Sequence, residues 1–142
     1  MVDTASKQGE IKTAKGDVYN GGQKDGRPHG TGKLVLHDGD VYEGEFSEGQ
    51  RHGRGKMTMK NGQIYEGDWT NGLPHGQGVE TGASGDIYTG KFDQGRKTGQ
   101  GKIVKKSGAS YEGEWLDGVP HGKGKESQSN GIFFDGTYDQ GR

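Results

Sequence analysis

Apolar and polar residues alternate along this chain with a period of two, and glycine interrupts the alternation at regular places. In stretches such as Tyr42-Glu43-Gly44-Glu45-Phe46 a ring, a glycine and a second ring occupy every other position, with charges between them. That is the spacing of a strand with one ring-and-glycine face and one charged face. No window places apolar residues 3.6 apart and glycine recurs throughout, so no helix is predicted. Three residues after the second aromatic comes a glycine preceded by Asn, Asp, Glu or Gln, as in Asn71-Gly72 and Asp117-Gly118. Such a dipeptide tolerates positive φ and predicts a tight hairpin turn. The chain then returns through His-Gly-x-Gly into a second strand such as Lys33–Leu36, Lys56–Met59 or Lys102–Lys105.

The pattern repeats without a slip. Tyr19, Tyr42, Tyr65, Tyr88, Tyr111 and Phe134 stand 23 residues apart, and each is followed two residues later by a glycine, from Gly21 to Gly136. The turn glycines run in the same register from Gly26 to Gly141. Self-similarity at this period signals a repeat architecture. The predicted fold is all-β: an elongated, twisted, single-layer antiparallel meander of tandem hairpins. At about 10 Å per hairpin, it should measure on the order of 55–65 Å. Residues 1–8 are expected as a partly disordered N-terminal extension and 9–15 as a strand of an earlier repeat. The array then occupies 16–142, with repeats at 16–38, 39–61, 62–84, 85–107 and 108–130 and a truncated one at 131–142. Cut ends of this kind suit a fragment, or ends covered by a partner or a second copy.

A longer period of 46 is superposed. Trp69 and Trp115 alternate with Phe46 and Phe92, and Pro28, Pro74 and Pro120 alternate with Arg51 and Lys97. Alternating ring sizes for packing would produce this. So would a partner touching every second repeat.

Composition narrows the reading. Hydrophobic residues make up only 25% and 31 residues are glycine, so a thick central core is excluded. The aromatics argue for a thin repeated one. A net charge of −1 supplies no field for nucleic acid, and the absence of cysteine excludes disulfides and thiolate metal sites. The fourth repeat is the basic exception: Lys91, Arg96, Lys97, Lys102, Lys105 and Lys106 face only Asp86 and Asp93 across residues 86–108, giving +4.

The Y-E-G-E-W strand, the turn glycine and H-G-x-G at a 23-residue period resemble the membrane occupation and recognition nexus (MORN) repeats over roughly residues 9–142. The first repeat departs with Asn20 and Gln23, the fourth with Thr98 in place of histidine. The resemblance implies a non-catalytic protein–protein scaffold in cytoskeletal, ciliary or membrane-apposed assemblies, cytoplasmic, with motor or scaffold partners and homodimerisation. Peripheral binding of anionic lipid, or regulation of a larger enzyme, are the alternatives.

The expected partner-binding surface is the aromatic face: Tyr19, Tyr42, Phe46, Tyr65, Trp69, Tyr88, Phe92, Tyr111, Trp115, Phe134 and Tyr138. The expected anionic-partner patch is Arg96, Lys97, Lys102, Lys105 and Lys106. No catalytic group and no cofactor are expected: no serine holds a fixed repeat position, and the Gly-x-Gly pairs never extend to a phosphate-binding G-x-G-x-x-G. His29, His52, His75 and His121 recur at one position, but at about 10 Å per repeat they cannot converge on one ion, whose ligands lie about 2 Å away. They are expected to shape the turns.

Overall fold

The computed structural model describes residues 7–139, and these are all-β. Twelve strands follow in chain order: β1 (Lys7–Lys12), β2 (Val18–Lys24), β3 (Arg27–Val35), β4 (Val41–Ser47), β5 (Gln50–Thr58), β6 (Ile64–Thr70), β7 (Leu73–Thr81), β8 (Ile87–Asp93), β9 (Arg96–Val104), β10 (Ser110–Leu116), β11 (Val119–Ser127) and β12 (Phe133–Tyr138). The chain forms two compact bodies, one ending at Leu73 and one beginning at Pro74. In each, every strand pairs antiparallel with the next in sequence, the meander expected of tandem hairpins.

Two kinds of connection alternate. Within a repeat the hairpin closes through two residues, Glu48-Gly49 for example, with φ of 53° and 83°. Positive φ at both centres marks a type I′ turn, whose twist suits a two-residue hairpin. Between repeats the connection is five residues long, as from Leu36 to Asp40, where the Leu36 N–H donates to the Asp40 carbonyl at 2.8 Å. An aspartate ties successive long loops together. Asp17 accepts the His37 N–H at 2.8 Å, Asp40 the Lys60 N–H at 2.9 Å, and Asp86 the Lys106 N–H at 3.0 Å. The His37 hydrogen bond also holds the Asp17 carboxyl below the ordinary carboxylate range.

The core is one layer of rings. Tyr42 stands opposite Met57 on β5, and its ring reaches forward over the facing glycines Gly44 and Gly55. A methyl group added at Gly55 would overlap that ring, and Gly32, Gly101 and Gly124 sit under Tyr19, Tyr88 and Tyr111 in the same way. Glycine normally weakens a strand. Here its missing side chain is the seat for a neighbour's ring.

Gly101→Ala is therefore expected to lose about 1–3 kcal/mol by overpacking. Gly82→Ala, where a methyl meets its nearest atom at 3.7 Å, should be near neutral. Urea denaturation of the two variants checks the contrast.

Candidate interaction surfaces

Each tyrosine is held at both ends. The strand register slips between Gly44 and Phe46 on the side facing β5, where Glu45 alone stands against a bulge of three residues, 52–54, in β5. The Tyr42 hydroxyl donates to the Glu45 carbonyl at 2.8 Å, and the Glu45 carboxylate accepts the Arg54 N–H across the sheet at 2.9 Å. The fifth repeat does the same, with Tyr111 on the Glu114 carbonyl at 2.8 Å and the Lys123 N–H on the Glu114 carboxylate at 2.6 Å. The second acid of Y-E-G-E thus satisfies backbone groups beside the bulge. The alternation had assigned it only to the solvated face.

The second aromatic of each repeat wedges between tyrosines. In the N-terminal body Phe46 lies edge-on between Tyr19 and Tyr42, at 4.9 and 5.0 Å between ring centres, and Trp69 between Tyr42 and Tyr65, at 5.2 and 5.1 Å. In the C-terminal body Trp115 lies between Tyr88 and Tyr111, at 5.0 and 5.3 Å. Interplanar angles near 90° are the edge-to-face geometry that ring quadrupoles favour. Each indole N–H also finds a backbone partner: Trp69 donates to the Gly55 carbonyl at 3.0 Å and Trp115 to the Gly101 carbonyl at 2.9 Å.

This geometry corrects the expected docking surface. Tyr19, Tyr42, Phe46, Tyr65, Trp69, Tyr88, Phe92, Tyr111, Trp115 and Tyr138 are buried, none more than 8% exposed. They are the core itself, shielded by one another and by the turns. Phe134 alone of the eleven is open, at 56%. Among the described residues, each body has a shallow groove on its ring side. One, of about 370 Å³, is lined by Leu34, Leu36, Phe46, Gln50, Arg51 and Leu73. The other, of about 340 Å³, is lined by Ile103, Lys105, Trp115, Pro120, Glu126 and Tyr138, among others.

The residues of the expected cationic patch have different surroundings. Arg96 pairs with Asp117 on the next turn at 3.7 Å. Lys97 bonds Glu80 at 2.8 Å and lies 5.3 Å from the centre of the Tyr88 ring. Lys102 faces Thr89 and Glu112 across the strands, Lys105 lines the ring-side groove, and the Lys106 stem rests against the loop at Gly85. For Arg96 and Lys97, neighbouring repeats supply partners that a repeat-by-repeat charge count does not show.

The same contacts explain the 46-residue alternation by packing. Arg51 stands opposite Phe46 and lies over the Trp69 ring at 5.1 Å, and Lys97 stands opposite Phe92. Opposite the larger Trp115 the position is Pro120. The recurrent histidines serve the turns: His29 Nδ1 accepts the Glu48 N–H at 3.4 Å and His75 Nδ1 the Gln94 N–H at 3.2 Å. Where Thr98 replaces histidine, a notch of about 310 Å³ opens between Asp93, Gln94, Arg96 and Asp117.

Burial raises the tyrosines. Tyr42, Tyr88 and Tyr138 are pushed up to about 12 from the ordinary 10.0, and the bond from Tyr138 to the Glu126 carboxylate adds to the rise. A folded-state value above the unfolded one gives stability that is whole below pH 10 and lost as pH rises through about 12. Tyrosinate absorbance and sheet circular dichroism should therefore change together in that window; ionisation near pH 10 with the sheet intact would contradict the burial. Trp115→Ala should cost about 3–5 kcal/mol, read by urea denaturation, because it removes a core ring.

Comparison with known proteins agrees with this geometry. The MORN repeat family matches five times in tandem, over residues 19–41, 42–64, 65–87, 88–110 and 111–133. No curated protein matches. Among solved structures the chain is similar to the SAS-4 (dCPAP) TCP domain of Drosophila melanogaster, determined in complex with a proline rich motif of Ana2 (dSTIL). That likeness has 14% identity, covers 95% of this chain and 86% of that one, and has a TM-score of 0.40. Virginiamycin B lyase from Staphylococcus aureus is similar at 12% identity, over 96% and 57% of the two chains, with a TM-score of 0.25. The family match carries the assignment: five consecutive copies span the described strands from Tyr19 to Phe133, and the chain belongs to the MORN-repeat family.

Proposed function

We propose that this chain is a non-catalytic scaffold that binds a protein partner, with the two ring-side grooves as its principal contact surface. One observation carries the reading. Its buried aromatics form a one-layer core, and beside that core each body leaves a half-open groove in which rings and aliphatics meet polar rims. Apolar floors with polar rims are what a protein segment buries against. The tyrosine hydroxyls, tryptophan N–H groups and bulge carboxylates are engaged with the backbone, which supports a structural use of this chemistry. Pairing of Arg96 with Asp117 and of Lys97 with Glu80 supports the protein reading over the lipid one, since surface attraction sums over neighbouring unpaired charges. Cytoskeletal or ciliary assemblies are the settings we propose, with motor or scaffold proteins as partners.

Photo-crosslinking residues placed at Leu73 and Lys105, both exposed on groove rims, test this in cells. Both should capture the same protein, and one placed at Glu66 on the opposite face should not. The purified partner should bind Leu73→Glu roughly tenfold more weakly than wild type. Capture from Glu66 alone, or unchanged affinity, would overturn the assignment of the grooves.

A further inference from the structure

The sheet face turned away from the rings carries a cross-strand row of alternating charge. Lys33 stands opposite Glu43, Glu43 opposite Lys56, and Lys56 opposite Glu66. The last strands of the C-terminal body repeat it, with Glu112 opposite Lys125 and Lys125 opposite Asp135. On β7–β9 the row breaks: Val79 stands opposite Thr89, and Thr89 opposite Lys102. The adjoining row there is Thr81, Ile87 and Val104. Five β-branched residues thus form one uncharged block across three strands. Val79, Ile87 and Val104 are 38%, 41% and 40% exposed.

The charges nearest the block within β7–β9 are cationic. Among the described residues, the acids of β7–β9 lie elsewhere: Glu80 bonds Lys97 on the ring side, and Asp93 ends β8 beside His75 at 3.3 Å. The cations bordering the block are Lys91 and Lys102. Lys102 has Glu112 as its neighbour on β10. Lys91 occupies the position, opposite the bulge in β9, at which Glu45 and Glu114 of other repeats reach across to a backbone N–H. An ammonium donates only and cannot do that.

We propose that this block is a second docking site, for a short acidic and aliphatic segment of a protein partner. It rests on the scaffold reading above and names the chemistry of one partner. Three aliphatic side chains, each less than half exposed, fall far below the roughly 800 Å² per side of a stable protein pair. That favours one short segment over a second copy of the chain. The bordering lysines favour carboxylates on that segment.

The probe is a fluorescent peptide alternating glutamate with valine and isoleucine, beside a version with lysine for glutamate and phosphatidylserine vesicles. The variant Val79→Lys/Thr89→Glu restores the charge row found on the other strands and so should keep the fold, checked by its thermal unfolding midpoint. Wild type should bind the acidic peptide and not the basic one, and the double variant should lose roughly tenfold or more. Leu73→Glu and Lys105→Glu should bind the peptide as wild type does. Failure of the acidic peptide to bind, equal binding by the double variant, or vesicle binding that the double variant loses would each overturn the proposal. If the peptide's affinity falls in the groove variants instead, this site is wrong while the scaffold reading stands.

Discussion

A ring resting on backbone that has no side chain is the interaction from which the rest of this structure follows. A single-layer sheet has no second layer to bury its apolar residues. Facing glycines create a depression one ring wide, and a tyrosine from the same hairpin fills it while its hydroxyl reaches the carbonyl three residues on. Dispersion and the hydrophobic effect act over the flat of the ring, and the hydrogen bond fixes where it lies. Within each body a second aromatic then closes the gap between successive tyrosines edge-on, Phe46 and Trp69 in one and Trp115 in the other.

That constraint accounts for residues that would otherwise look independent. The glycine pairs are seats, the acid after the first glycine satisfies backbone near the bulge, and the histidine receives a turn N–H. Arg51 and Lys97 face phenylalanine rings and Pro120 a tryptophan ring.

The strand alternation and the 23-residue spacing made the hairpins, their turns and the antiparallel order legible, because each depends on contacts near in sequence. Glu48-Gly49 and Asn71-Gly72 declared their turns by residue type alone. The fate of the aromatics was not legible. A row of rings at strand spacing fits a docking face or a core equally well, and only the positions of Phe46 between Tyr19 and Tyr42 and of Trp115 between Tyr88 and Tyr111 decide it. The pairing of Lys97 was hidden for a related reason. Lys97 and Glu80 lie 17 positions apart in different repeats, and the fold brings them to 2.8 Å.

Both tryptophans report directly on the central contact, since each is wedged between two tyrosines and bonded to a carbonyl. Fluorescence of the purified chain alone, titrated with acrylamide, should show blue-shifted emission and strong protection from the quencher until denaturant is added. Red-shifted, freely quenched emission from the folded protein would mean that the rings face solvent, and that the single-layer core described above does not exist.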